Sequence, residues 1–161
     1  MKIAFDLDDT LIPTTRSFSC GTTVHNGLPR LISKEPLRRG AIPLLKSLSK
    51  EHSIWIYTTS LRPQASIKWW FRLMGVSLEG VINHQRHAHD IAHYPNIRYS
   101  KYPDMYGIDV LIDDSEGVAM ELASQQCHFI LVKPEELSWV DNIRKALGFL
   151  SNKAPTKNYA R

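Results

Sequence analysis

The apolar positions along the chain alternate between short continuous runs and longer stretches with helical spacing. The short runs are rich in β-branched and aromatic residues and are bounded by polar or turn-forming residues, which is typical of buried strands. They predict five strands, at residues 2–5, 53–57, 80–82, 109–112 and 128–132. The run at 80–82 is the weakest of the five.

The stretches between these runs repeat apolar side chains at i, i+3, i+4 and i+7. The clearest case places Ile67, Trp70, Phe71 and Met74 on one helical face, with Trp69 off it. The pattern predicts four helices, at residues 41–50, 63–74, 115–125 and 136–147. Because strands that alternate with helices are typical of α/β proteins, we expect a Rossmann-like parallel sheet with helices on both faces.

Three segments do not follow the alternation. Residues 12–40 are rich in Pro, Gly, Ser and Thr and are too long for an ordinary strand-to-helix loop, so we expect a short flap or small cap inserted after the first strand. Residues 83–107 are rich in His, Tyr and Pro. Residues 151–161 are polar and predict a flexible tail. The rest, residues 1–150, predicts a single domain.

The composition changes this picture little: 161 residues, 43% hydrophobic and 22% charged, suit one globular domain. Apolar runs are too short to cross a bilayer, and the start reaches Asp6 too early for a secretory signal, so we expect a cytoplasmic protein without membrane association. Cys20 and Cys127 are expected to be free thiols. The net charge of +4 suits an anionic partner, but without a dense basic block nucleic acid is only weakly supported.

Polar residues directly follow three of the predicted strands. Because the carboxyl ends of parallel strands meet at one edge of a sheet, we expect these side chains to converge on one crevice. Several carboxylates crowded together repel one another unless a cation holds them, and hard oxygen ligands favour Mg²⁺. The candidates are Asp6, Asp8, Asp9 and Thr10 after the first strand, Thr58 and Thr59 after the second, and Asp113 and Asp114 after the fourth along the chain.

Such a group of residues suits phosphoryl transfer. One carboxylate can attack phosphorus to form an aspartyl-phosphate. A second acid, two residues along, can protonate the leaving oxygen and then activate the hydrolytic water. A hydroxyl and a lysine would bind the remaining phosphoryl oxygens, where negative charge accumulates.

Three motifs at these positions resemble those of the haloacid dehalogenase superfamily. Residues 5–11, FDLDDTL, are similar to its first motif, hydrophobic-Asp-x-Asp-x-Thr-Leu. Residues 56–58 look like its second motif, a strand that ends in Thr or Ser, and residues 111–115 look like its fourth, an acidic pair after a strand. The resemblance implies a Mg²⁺-dependent phosphatase acting on a phosphate monoester, such as a nucleotide or another small phosphate ester.

The resemblance also implies roles for the matched acids. Asp6 would be the nucleophile and a metal ligand. Asp8 would be the general acid/base, with its backbone carbonyl on the metal. Asp114 would bind the metal directly or through water, with Asp113 close behind it.

The phosphate-binding residues are implied less directly. Thr58 would donate a hydrogen bond to the phosphoryl group, and Thr59 and Thr10 are further candidates for phosphate binding. The third motif is a lone lysine. Lys101, ahead of the strand at 109–112, is the preferred candidate, and Lys133 is the alternative.

Other interpretations stay open at this point. The acids of residues 6–10 could cap a helix or bind Ca²⁺, although a buried strand precedes them, unlike in an EF-hand. The histidines of residues 84–93 could hold zinc or contact the substrate. A phosphoprotein or polynucleotide phosphatase is an alternative with the same site. A non-catalytic Mg²⁺-binding interaction module is the alternative from another class.

Overall fold

The computed structural model describes residues 1–21, 33–94 and 96–153. Within these residues, five strands form one sheet and five α-helices flank it. The strands are β1 (Lys2–Phe5), β2 (Ser53–Tyr57), β3 (Gly80–Ile82), β4 (Val110–Asp113) and β5 (His128–Leu131). The helices are α1 (Ala41–Leu48), α2 (Gln64–Leu73), α3 (His84–Ile91), α4 (Glu116–Leu122) and α5 (Trp139–Lys153), with a short 3₁₀ helix at Pro103–Tyr106.

The sheet has the strand order β3-β2-β1-β4-β5, and every neighbouring pair is parallel. The first strand is therefore central. Its last residue, Phe5, lies opposite Ile56 of β2 and Ile112 of β4. This register brings the residues that follow β1 and β2, and the last residue of β4, to one edge of the sheet.

Two hydrophobic cores cover the two faces of the sheet. Along β1, Ile3 and Phe5 pack into the larger core, with residues of α1, α2 and α5, because successive side chains of a strand alternate between faces. Ala4 packs into the smaller core, with Val118 and Leu122 of α4. The protein thus has the predicted α/β fold, Rossmann-like, with helices on both faces. None of the described helices is long and apolar enough to cross a bilayer.

The predicted elements occur with small shifts, and one helix was missed. Helix α3 lies in the segment for which no regular structure was predicted. Asn83 caps it, accepting a hydrogen bond from the Arg86 N–H at 3.0 Å. Only His87 is buried within α3, so the helix shows no apolar periodicity. At the other end, α5 continues to Lys153, so the helix enters the segment predicted as a tail; residues 154–161 lie outside the described residues.

The insertion after β1 is described only at its two ends. Residues 12–21 and 33–40 contain no helix or regular strand, but they lie side by side, with the Gly21 N–H donating to the Leu37 carbonyl at 2.9 Å. Arg38 anchors this junction: its guanidinium lies 4.8 Å from the ring centroids of both Phe18 and Trp139. The predicted flap covers residues 12–40, and its middle part, residues 22–32, lies outside the described residues.

Both cysteines are free thiols, as expected. Cys127 is buried, and this burial raises the pKa of its thiol to about 12. Burial also raises the pKa of the partly exposed Cys20, and the Arg38 guanidinium only partly offsets that rise.

Candidate active site

Three aspartates meet at the carboxyl edge of the sheet. Asp6 directly follows β1, and its N–H donates to the Ile112 carbonyl at 2.8 Å, which keeps it aligned with β4. Asp113 ends β4, and Asp114 follows it. Asp6, Asp113 and Asp114 each offer a carboxylate oxygen, and these oxygens lie within 4.8 Å of one another. In the part of the chain that the structure describes, no other group of three possible metal ligands occurs.

A buried lysine lies against two of these carboxylates. Lys101 is 2% exposed, and its Nζ contacts Oδ1 of Asp6 and, at 2.5 Å, Oδ2 of Asp113. Lys133, the alternative from sequence, is exposed. Of the two candidate lysines, Lys101 is therefore the one that contacts the aspartates.

The electrostatics of this cluster favour an additional cation. Burial raises the pKa of Asp6, the Lys101 ammonium lowers it by less, and the neighbouring Asp113 carboxylate adds to the rise. Burial and Asp113 likewise raise the pKa of Asp114. For Lys101, burial alone would lower the pKa, but Asp6 and Asp113 outweigh burial and raise it. The three carboxylates, two of which contact the Lys101 ammonium, form an all-oxygen donor set that fits Mg²⁺, which Asp6, Asp113 and Asp114 would hold.

Asp8 points away from this cluster, towards hydroxyl groups and a guanidinium. Its Oδ1 accepts a hydrogen bond from the Thr14 hydroxyl at 2.9 Å, and its Oδ2 accepts one from the Thr58 hydroxyl at 3.0 Å. Arg62 Nη1 donates to both oxygens, at 2.9 and 3.1 Å. A contact between the backbone carbonyl of Asp8 and a metal stays a prediction of the resemblance.

Arg62 is a functional candidate that the sequence analysis missed. Besides Asp8, it contacts Glu35 of the insertion, through Nη2 at 2.6 Å and Nε at 3.2 Å. It thereby links the acid after β1 to the insertion. Arg62 lies four residues after Thr58, in the loop before α2, and this position indicated the correct edge of the sheet. The sequence did not indicate which residues its guanidinium contacts.

The threonines have different surroundings. Thr58 is buried, and its hydroxyl donates to Asp8 and accepts the Ser60 N–H at 3.1 Å. Thr10 is also buried and donates to Oδ1 of Asp114 at 3.1 Å, so it orients a candidate metal ligand. Thr59 is exposed. The phosphate-binding roles of all three residues stay predictions.

Asp9 shapes the turn that follows the first acids. It has a φ of +58°, an uncommon value for a residue with a side chain. Its Oδ1 accepts N–H groups of Thr14 and Thr15 at 2.8 Å and of Arg16 at 2.9 Å. Burial would raise the pKa of Asp9, but the hydrogen bonds from Thr15, Arg16 and Thr14 outweigh it and lower the pKa. Because a turn and not a helix follows these acids, they do not cap a helix, and because β1 precedes them, they do not form an EF-hand.

An open cavity of about 430 Å³ borders the cluster on the side of β5. Its charged lining consists of two cationic side chains and four carboxylates: Arg16 and Lys133, and Asp9, Asp114, Glu116 and Glu135. Cavities of this size accept small ligands. The cavity therefore offers space beside the aspartates, with a lining of mixed charge in which acids outnumber bases.

The histidines of α3 do not form the zinc site considered from sequence. His87 is buried and turned inward: its Nδ1 faces the Tyr57 hydroxyl, and its Nε2 faces the Tyr99 carbonyl. His89 is exposed and contacts Asp90 at 3.0 Å. Both ring nitrogens of His87 are engaged, so His87 and His89 do not act together on a metal.

The fold and this edge cluster define the class of the protein as a Rossmann-like α/β protein with an aspartate-rich site at the carboxyl edge of the sheet. No family model matches the chain, and no curated protein matches its sequence. The resemblance to the haloacid dehalogenase superfamily therefore depends on the three motifs alone.

Proposed function

We propose that the protein is a Mg²⁺-dependent phosphatase of the haloacid dehalogenase type, which hydrolyses a phosphate monoester through an aspartyl-phosphate on Asp6. The contact of buried Lys101 with Asp6 supports this proposal most, because it places an ammonium beside the carboxylate that would attack phosphorus. Asp113 and Asp114 lie beside this pair. Asp8, two residues after Asp6, is partly exposed and can be reached by a leaving group.

In the first half-reaction, a carboxylate oxygen of Asp6 attacks the phosphorus of the monoester. The bond between phosphorus and the ester oxygen breaks, and Asp8 gives its proton to that oxygen, so that an alcohol leaves. Lys101 would stabilise negative charge on the phosphoryl oxygens, and so would the Thr58 hydroxyl once it turns from Asp8, to which it donates in the structure. Mg²⁺ held by Asp6, Asp113 and Asp114 would supply further neutralisation of that charge.

In the second half-reaction, water attacks the aspartyl-phosphate. The Asp8 carboxylate takes a proton from the water as the new bond between oxygen and phosphorus forms. The bond between phosphorus and Asp6 breaks, which releases inorganic phosphate and restores the carboxylate. Asp8 thus regains the proton that it gave to the leaving group, and the cycle is complete.

The cavity beside Asp114 supports a small phosphate ester as the substrate. Its volume of about 430 Å³ suits a sugar phosphate or a nucleotide; Arg16 and Lys133 are the side chains that would hold a second anionic group, among the four carboxylates that also line the cavity. In this proposal the scissile phosphate lies at Asp6, and the rest of the molecule lies in the cavity.

The test is a screen of phosphate monoesters with Mg²⁺ that measures phosphate release by the wild type and by Asp6→Asn. The panel contains nucleotides, sugar phosphates, phosphopeptides and oligonucleotides phosphorylated at either end. Asp6→Asn keeps the size of the side chain and removes the attacking charge, so we expect a rate loss of about a thousandfold or more. Asp141→Asn, an exposed carboxylate of α5, is the matched control and should retain full activity. Release that is equal in Asp6→Asn and the wild type would exclude Asp6 as the nucleophile.

The role of Asp8 has its own test. Asp8→Asn should slow the hydrolysis of alkyl phosphates much more than that of p-nitrophenyl phosphate, because a poor leaving group depends on a proton. The ratio of the two kcat/KM values in the variant and the wild type measures this dependence. An equal fall in kcat/KM for both substrates would contradict the role of Asp8 as the acid.

One observation favours the non-catalytic alternative. Both carboxylate oxygens of Asp8 accept hydrogen bonds from Arg62, so Arg62 has to release Asp8 before Asp8 can carry a proton to a leaving group. A Mg²⁺-binding interaction module needs no such release. Calorimetry of Mg²⁺ binding, run beside the substrate screen, distinguishes the two: binding that is lost in Asp114→Asn, with no hydrolysis across the panel, would favour the module.

A further inference from the structure

A chain of hydrogen bonds links helix α3 to the loop that carries Lys101. His87, buried within α3, has its Nδ1 2.7 Å from the Tyr57 Oη. That Oη also accepts the N–H of Tyr102 at 2.7 Å, and His87 Nε2 lies 3.0 Å from the carbonyl oxygen of Tyr99. The imidazole and the phenol therefore hold the backbone on both sides of Lys101.

The chemistry of the end groups fixes the direction of this chain. The Tyr102 N–H can only donate, and the Tyr99 carbonyl can only accept. Because the Tyr99 carbonyl needs a donor, the ring proton of neutral His87 lies on Nε2; Nδ1 is then the acceptor, and the Tyr57 hydroxyl donates to it while it accepts the Tyr102 N–H. Every group in the chain is satisfied by this one tautomer. Burial also raises the pKa of Tyr57, which keeps its hydroxyl protonated as a donor.

Two further contacts show that the same loop is held from both sides. The Tyr57 ring centroid lies 5.7 Å from the Lys101 ammonium, so this ring covers the charge as its hydroxyl holds the backbone. On the other side, the N–H and hydroxyl of Ser100 donate to Oε2 of Glu121 at 2.8 and 2.7 Å. Lys101 itself comes from irregular backbone, so its position depends on such contacts.

We propose that His87 is a positioning residue that, through Tyr57, holds residues 99–102 so that the Lys101 ammonium stays against Asp6. The kinetic part of the proposal depends on the phosphatase function proposed above. The positional part does not, because it concerns only the accessibility of Lys101.

Three substitutions separate the two hydrogen bonds of His87. His87→Leu removes both. His87→Asn keeps an amide oxygen near the position of Nδ1 and can accept from Tyr57, whereas His87→Gln keeps an amide nitrogen near the position of Nε2 and can donate to Tyr99. His89→Leu, on the exposed side of the same helix, is the matched control.

The first measurement is acetylation of Lys101 by acetic anhydride, followed by peptide mass spectrometry. We expect His87→Leu to raise the acetylation rate of Lys101 about tenfold or more, because loss of the buried bonds lets the loop open. His87→Asn and His87→Gln should each raise it less than His87→Leu, and His89→Leu should match the wild type. A Lys101 that stays as protected in His87→Leu as in the wild type would overturn the proposal, as would equal acetylation in all three His87 variants.

The second measurement uses whichever monoester the wild type hydrolyses. We expect His87→Leu to lower kcat about tenfold with a smaller change in KM, and the amide variants to recover part of that loss. Tyr57→Phe removes one hydroxyl and keeps the ring, so it tests the link if His87→Leu does not fold; it should acetylate faster at Lys101 and turn over more slowly. Unchanged acetylation in a folded Tyr57→Phe would overturn the proposal. A wild type without turnover would end the phosphatase proposal and leave the acetylation result standing.

Discussion

The ion pairs of Lys101 allow a prediction about stability that needs no substrate. Lys101 is 2% exposed, and its ammonium contacts two carboxylates that are themselves buried, Asp6 and Asp113. At 2.5 Å, and with an effective dielectric constant of about 20, one such contact gives about 7 kcal/mol of gross Coulomb attraction. Desolvation of the three charges offsets a large part of this gain. The net contribution of these ion pairs to the free energy of unfolding therefore has to be measured by removing one of the charges.

Lys101→Met keeps most of the volume of the side chain and leaves two buried carboxylates without their cation. Breaking a buried pair in this way costs about 3–5 kcal/mol of the free energy of unfolding. For a chain of this length, that corresponds to a fall in Tm of about 6–20 °C. Urea unfolding without Mg²⁺, followed by circular dichroism, measures the loss, and Lys50→Met, at an exposed lysine, is the control.

Two additions make the test specific. Mg²⁺ bound at the aspartates should recover part of the loss, by about 2.7 kcal/mol at a concentration one hundred times its dissociation constant. Asp113→Asn combined with Lys101→Met should cost less than the sum of the two single changes, because the second change removes a charge that the first left unpaired. A loss below about 1 kcal/mol for Lys101→Met, or an additive double variant, would refute a buried ion-pair network at this site.

Two further substitutions test other contacts. Arg62→Lys replaces a guanidinium that donates to both oxygens of Asp8 with a point charge; we expect kcat/KM for an alkyl phosphate, whose poor leaving group depends on Asp8, to fall about tenfold, and an unchanged value would show that Arg62 does not position Asp8. Gly80→Ala places a Cβ 2.1 Å from the Trp55 ring and should lower the free energy of unfolding by about 1–3 kcal/mol in urea titrations. Gly148→Ala, where a Cβ meets nothing within 4 Å, should be neutral or stabilising, and an equal loss in both would contradict the steric explanation.

The sheet was predictable because its strands are short apolar runs, most of them buried, with β5 at the edge as the more exposed exception. Ile54 to Tyr57, for example, are all apolar, so the first polar residue after them, Thr58, marks the carboxyl edge of the sheet. All five strands, including Gly80–Ile82, lie within one residue of their predicted bounds. The same logic predicted the edge cluster, since Asp6 and Asp113 each stand at the end of such a run.

The parts that the sequence did not predict depend on contacts between distant segments. Helix α3 buries one histidine, so no apolar periodicity indicated a helix there. The capping residue Asn83 is the one helix signal in its sequence. Arg62 meets Asp8 across 54 positions and Glu35 across 27, and nothing in the local sequence of Arg62 specifies either partner. Thr10 fits the first motif, but its contact with Asp114 needed the register of β1 against β4.

The aspartates and Lys101 differ in how the fold positions them, and this difference bears on function. Asp6 and Asp113 stand at strand ends, so the sheet positions their backbone: β1 lies between β2 and β4, and Asp6 is therefore flanked by the ends of both neighbours. Lys101 stands on a loop ahead of β4, so its position depends on the contacts of Tyr57, His87 and Glu121 with that loop. A change in those contacts would leave the aspartates in place and remove the ammonium. Under the proposed phosphatase function, we expect binding of Mg²⁺ to tolerate such a change and turnover to fall.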